Sequence, residues 1–287
     1  MTLWQNISYK IKYTQSKLFL LIGINVAVYL LINIPAVFEQ LFVSGFGNSR
    51  IIAFSHEYLQ LPAQFNELLH RFWTPVTYMF IHADIFHILF NMLWLYWMGQ
   101  IFEEYLGHKR TIGLYLMGGL AGAFFFVLAF NTIPAFEGAN ASVVGASAGV
   151  MAIIIATATL LPDYTIHLFL FGPVKLKWLA IFYILIDFLS MAGSNAGGSI
   201  AHLGGALLGF IYIKRLQRGS DWVGNVNNLF KPKPKMRVVS KNPEKTASSY
   251  PAQDEIDRIL DKISQSGYDN LTRQEKEVLF RASKDER

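Results

Sequence analysis

The stretch Val143-Val144-Gly145-Ala146-Ser147-Ala148-Gly149-Val150, VVGASAGV, carries two patterns at once. Gly145 to Gly149 fits G-x-S-x-G, the sharp turn that presents a serine nucleophile in some hydrolases. The same two glycines fit G-x-x-x-G, which lets two membrane helices touch. Ser147 is a nucleophile on the first reading and a small packing residue on the second. The flanking chain decides which kind of fold it belongs to.

That chain is 287 residues long, 53% hydrophobic and only 16% charged, where soluble domains hold about 45–50% and about 25%. Of the 45 charged residues, 24 follow Ser220 (13 basic, 11 acidic), which leaves 21 for everything before. A soluble fold does not tolerate so little surface charge over that length, so the first part is a membrane protein. The net charge of +5 comes with no basic stripe interleaved with aromatics, so no nucleic acid is expected. The absence of cysteine excludes disulfides, thiolate metal sites and a cysteine nucleophile. The first apolar run is long and lacks a small-residue cleavage site, so it reads as a span rather than a cleavable signal peptide.

Six apolar segments are expected to span the bilayer as helices: roughly Leu18–Val37, Ile85–Phe102, Thr111–Asn131, Ser147–Leu161, Leu176–Ala192 and Ser199–Ile213. The fourth is short, about 22 Å against a hydrocarbon core of about 30 Å. It must therefore begin inside the membrane, where irregular backbone survives only beside protein or water. Ser147 is thus expected at a sunken helix N-terminus. With the N-terminus inside, the inner segments carry Lys10, Lys12, Lys17, Lys109, Arg110, Lys175, Lys177, Lys214, Arg215 and Arg218, against Arg50 and Arg71 outside. That bias puts both termini in the cytoplasm. The expected fold is an all-α, six-helix membrane bundle over residues 1–219. A Lys/Pro-rich linker over 220–251 follows, then a small cytoplasmic helical tail over 252–287. In the tail Ile256, Ile259, Leu260 and Ile263 repeat at helical spacing, and Thr272 with Glu275 makes a capping box.

Polar residues inside a span are costly and point to function. Topology puts His87 and Asn91 (span two), Ser147 (span four) and His202 (span six) at one depth, in the outer half of the membrane. A serine hydroxyl needs an adjacent base, usually histidine. Ser147 and His202 are the serine–histidine combination with each member near the start of a span. Backbone N–H groups at the start of span four, Asn91 and His87 could donate to a developing oxyanion. Packing alone is the competing account. Gly205 and Gly209 bring spans four and six together on either reading, and Asn91 could serve an interhelical hydrogen bond. Rival chemistries lack their parts: His56-Glu57 has no completing histidine, and His82 with His87 has no carboxylate in register for zinc. Asp187 in span five reads as the one clearly buried carboxylate, in an interhelical hydrogen bond, with contact to the site as the alternative. No metal or cofactor is expected. A transporter would need repeat-related broken helices at mid-membrane.

The pattern resembles the rhomboid family of intramembrane serine proteases. The matching stretches are His70-Arg71-Phe72-Trp73-Thr74-Pro75, His82, His87-Ile88-Leu89-Phe90-Asn91, Gly145-Ala146-Ser147, and Ala201-His202-Leu203-Gly204-Gly205 with Gly209. Glu103 and the Leu106-Gly107 turn also fit. The resemblance covers about residues 15–215. It implies that Ser147 is the nucleophile, His202 the general base, and His87, Asn91 and the Ser147 N–H the oxyanion hole, with no aspartate needed. It implies transmembrane protein substrates cut near the extracytoplasmic face, in a bacterial cytoplasmic membrane. The alternative is an inactive rhomboid-like protein that binds membrane helices. Ala148 stands where the family most often has glycine, and Met151 where some members have an aromatic supporting the histidine ring. The tail resembles a helical appendage of some bacterial rhomboids.

Overall fold

A computed structural model of the protein describes residues 16–168, 172–193, 195–224 and 253–283. The chain separates into two compact units, one through Lys231 and one from Pro232 onward. Lys10, Lys12 and the basic cluster Lys231, Lys233, Lys235 and Arg237 lie outside the described residues, as does most of the expected linker.

In the first unit, helix α1 (Lys17–Glu39) continues into a π-helical segment, Gln40–Ser44. Short elements follow: α2 (Arg50–Tyr58), strand β1 (Leu61–Pro62), α3 (Phe65–His70) and α4 (Thr74–Thr77). Then come α5 (Ile85–Leu106), α6 (Thr111–Thr132), β2 (Ser142–Val143) and α7 (Ser147–Leu160). The unit closes with β3 (Thr165–Leu168), β4 (Gly172–Lys175), α8 (Leu176–Ser190) and α9 (Ala196–Leu216). The helix through Ser44, α5, α6 and α9 are long and apolar enough to cross a membrane. Helices α7 and α8, at 14 and 15 residues, fall short of the ~20 a perpendicular crossing needs. A helix lies at each of the six apolar segments, and four of the six are long enough to cross.

Two small antiparallel sheets sit in the loops, which the apolar pattern does not signal. In one, β1 pairs with β2, Leu61 opposite Val143, and Ala63 N–H donates to Ala141 O at 2.9 Å. This ties the first loop to the segment before Ser147. In the other, β3 and β4 form a hairpin ahead of α8.

Helix α7 is sheathed: eleven of its fourteen residues are buried, between α6 and α9. Small residues make this possible. A Cβ at Gly205 or Gly209 would collide with the backbone carbonyl of Ala148 or Ala152, so α7 and α9 meet backbone to backbone. Gly118, Gly122 and Gly149 do the same between α6 and α7. Helix α8 is the opposite case. Trp178, Phe182, Leu185, Phe188 and Leu189 are all exposed, an apolar face suited to lipid rather than water.

At one end of the bundle the start of α1 meets the end of α5. Glu103, only 6% exposed, accepts from Leu18 N at 3.1 Å, Ser16 Oγ at 2.6 Å, Thr111 Oγ1 at 2.8 Å and His108 Nδ1 at 2.7 Å. Asp187 is therefore not alone as a buried carboxylate. The bundle also continues past residue 219. Val223 is fully buried, and Asp221 pairs with Arg110 at 2.7–2.8 Å and accepts from Tyr212 Oη.

The second unit has two helices, α10 (Gln253–Ser266) and α11 (Arg273–Ser283), closed by buried Ile259 and Leu271. The capping box forms: Thr272 N–H donates to Glu275 Oε2 at 2.7 Å, and Glu275 N–H to Thr272 Oγ1 at 3.3 Å.

Candidate active site

The helix polarities bring the starts of α5, α7 and α9 and the end of α8 to one end of the bundle. There a cleft of about 870 Å³ is lined by His87, Asn91, Ser147, Asp187 and His202, among others. The four residues placed at one depth by sequence do share one site. Ser147, His87 and His202 are half-buried and Asn91 is buried.

Ser147 is the first residue of α7. Its approach is made by Gly145, whose φ of +127° is open to glycine and costly for any residue with a Cβ. Space makes the same demand, since a Cβ there would stand 2.8 Å from His87 Nε2 and 3.4 Å from Ser147 Oγ. The loop is anchored by Gly145 N–H donating to Tyr78 O at 2.9 Å. Gly145 and Gly149 are thus not one helix face. Gly149 packs on Tyr115 of α6 while Gly145 precedes the helix, and Ala148 is the small residue that faces α9. At residue 148 a Cβ can be accommodated, because Gly122 and Gly205 make room for it.

His87 is in the first turn of α5, which Asp84 caps by accepting from His87 N–H at 2.9 Å. Its Nδ1 accepts from Ala83 N–H at 3.4 Å. A neutral ring so held carries its proton on Nε2, the atom that lies over Gly145 beside Ser147. Asn91, one turn on, donates from Nδ2 to His87 O at 2.8 Å. That bond stays within α5 instead of crossing between helices, and leaves the second amide N–H unused.

His202 stands in the second turn of α9, one turn later than sequence places it, because the helix begins at Ala196. Its Nδ1 lies 2.9 Å from Asp187 Oδ1 on α8. Sequence gives Asp187 an interhelical bond but not this partner. The signal available was depth: Asp187 is three residues from the end of a helix that runs toward the site. Met151 is buried and lines the same cleft.

The segment His70–Pro75 braces the first loop. Arg71 donates to Glu57 O and lies near the Glu57 and Glu67 carboxylates, and Trp73 Nε1 donates to Tyr58 O at 2.8 Å. His82 is buried beside the His87 ring, their centroids 5.2 Å apart and their planes steeply inclined.

Residues 69–218 match the Rhomboid domain. The chain belongs to the rhomboid family. It is 36% identical to RHOMBOID-like protein 12, mitochondrial, of Arabidopsis thaliana over 52% of this chain and 48% of that one. It is 23% identical to the Rhomboid protease GlpG of Yersinia pseudotuberculosis over 49% of this chain and 47% of the other. Inactive RHOMBOID-like protein 8 of Arabidopsis thaliana matches at 29% over 24% of this chain and 19% of its own. The chain spans about half the length of the first two. Family and apolar helices together make it a multi-pass membrane protein. Plant and bacterial relatives both match, so membership by itself does not select a bacterial membrane. Residues 246–285 match a family of unknown function, DUF6576.

Proposed function

We propose that this rhomboid is an active intramembrane serine endopeptidase that cuts transmembrane segments near the extracytoplasmic face. One observation carries this reading: Ser147 and His202, on helices locked together at Gly205, open into one cleft with two further polar donors beside the serine. Ser147 Oγ attacks the scissile carbonyl carbon while its proton passes to His202 Nε2. His202 then returns that proton to the leaving amine, giving an acyl-enzyme on Ser147. Water activated by His202 hydrolyses the ester and restores the hydroxyl. The negative charge on the carbonyl oxygen is met by the Ser147 N–H at the positive end of α7, by His87 Nε2–H and by the free N–H of Asn91.

Among the described residues no hydrogen bond joins Ser147 Oγ to His202. Catalytic pairs are often loose without substrate and tighten when it binds. The cleft, about 870 Å³, has room for the water that hydrolysis consumes. The lysine and arginine bias places both chain ends in the cytoplasm, and the site on the opposite side. On this reading the described residues 16–219 belong to the membrane domain, with a short continuation that Arg110 holds, and 253–283 to a helical appendage of unassigned role. The presence of both Ser147 and His202 favours activity over an inactive helix-binding role.

The test uses purified full-length protein with a generic transmembrane substrate and sequencing of the products. A serine-directed fluorophosphonate is expected to label Ser147. Full cleavage by Ser147→Ala would overturn the reading. A reporter at Gly47 read as extracytoplasmic, and one after Arg287 as cytoplasmic, checks the orientation.

A further inference from the structure

His202 has two ring nitrogens, and only one can face Ser147. The other, Nδ1, is 2.9 Å from Asp187 Oδ1. Asp187 comes from α8, is buried, and lines the same cleft as Ser147. Its second oxygen, Oδ2, is buried with no hydrogen-bond partner among the described residues. A carboxylate can only accept, so the proton between the two groups sits on Nδ1, and Nε2 is left with its lone pair toward the cleft. That is the tautomer a base needs in order to take a hydroxyl proton.

We propose that Asp187 is the positioning residue for His202. It fixes the tautomer and the plane of the ring, and it holds the imidazolium that forms when the serine proton is transferred. The proposal rests on Ser147 and His202 being the catalytic pair. It goes beyond what the family resemblance implies, which is a pair with no aspartate. The local composition gives the reason such a group is useful here. Met151, one turn after Ser147, offers a flexible thioether where a flat ring would otherwise hold the imidazole, and a thioether packs without fixing orientation. Asp187 supplies direction from another helix. The tie also makes the base depend on α8, whose outer face is exposed along its length. Helices α7 and α9 place His202 along the bundle, and α8 sets how its ring is turned.

The experiment compares wild type with Asp187→Leu, Asp187→Asn and Asp187→Glu, all full-length and checked for folding by thermal melting. The readouts are steady-state cleavage of a transmembrane model substrate, the rate of fluorophosphonate labelling of Ser147, and ¹⁵N imidazole shifts of His202. Asp187→Leu and Asp187→Asn are expected to lose kcat on the order of 10²-fold with KM within about threefold, because ring orientation matters to the reaction and not to substrate binding. Labelling slows in the same ratio. Asp187→Glu recovers part of the loss. The wild-type shifts show Nδ1 protonated and Nε2 bare, and Asp187→Leu shows a mixture of tautomers. Folded Asp187→Leu with kcat within twofold of wild type overturns the proposal. So does a loss that only follows the folded fraction, or a tautomer unchanged by removing the carboxylate. Ser147→Ala runs alongside: if it still cleaves, the catalytic pair itself is misassigned, a failure distinct from that of Asp187.

Discussion

The two ends of α5 treat buried polar groups in opposite ways. At its C-terminal end Glu103 is buried and takes hydrogen bonds from four donors on three segments of chain. At its N-terminal end the polar groups keep capacity in reserve. His87 presents Nε2 to the cleft, and Asn91 has used one N–H within its own helix. Asp187 Oδ2 has no hydrogen-bond partner among the described residues. Burying a polar group without a partner costs about 1–3 kcal/mol, so the second arrangement is kept only where those groups have something to do. A saturated cluster holds helices together, whereas an unsaturated one is ready to bind.

That contrast is broken most directly at Ser147. Ser147→Ala is expected to lower cleavage by at least about 10³-fold and to leave the melting temperature within a degree or two. A variant that melts early instead would make Ser147 a packing residue and put both ends of α5 in one class.

Glu103→Ala tests the saturated end. Four donors would lose their acceptor, so a loss of about 3–5 kcal/mol of stability is expected, read from denaturant or thermal unfolding in detergent. The protein that remains folded should cleave at an unchanged rate per molecule. A kcat effect beyond the folded fraction would show the two ends to be coupled.

Asn91→Ala is expected to fold with little change and to lose roughly 10²-fold in kcat, the usual cost of one oxyanion donor. His87→Ala should lose the same or less. If activity falls only with the folded fraction, Asn91 belongs with Glu103.

The smallest effect lies in the second unit, where a carboxylate is saturated but only half-buried. The Lys262 ammonium, then the Thr272 N–H, lowers the Glu275 pKa to about 2 from an ordinary 4.5. A depressed carboxylate stabilises above its unfolded pKa and stops doing so as pH falls through the folded one. Amide protection in the first turn of α11 should therefore weaken between pH about 4.5 and about 2. Glu275 titrating near 4.5 would show that its ion pair does not hold in solution.

Much of this was legible in the chain itself. Apolar runs in the sequence coincide with helices, four of them long enough to cross a membrane, and the order and polarity of those runs are enough to anticipate that His87, Asn91, Ser147 and His202 line one cleft. The capping box at Thr272 reads directly, because its two bonds span three residues. What sequence does not convey is pairing between distant segments. The β1–β2 ladder joins residues some eighty apart through backbone atoms that any side chain shares. Asp187 could be placed near the right end of α8, but its partner depends on how α8 is rotated about its axis, which a helix apolar on nearly every side does not encode. Glu103 was missed as a buried hub because it lies at a helix end, where a carboxylate reads as solvated.

The meeting of Ala148 with Gly205 has a consequence for how such a site is passed on. Ser147 and His202 are held in register by a carbonyl pressed on a bare α-carbon, atoms that no codon specifies. Gly209, against the Ala152 carbonyl one turn on, repeats the same contact. The instruction that fixes their spacing is a missing side chain, so it can be lost by a single added methyl and cannot be strengthened by any addition.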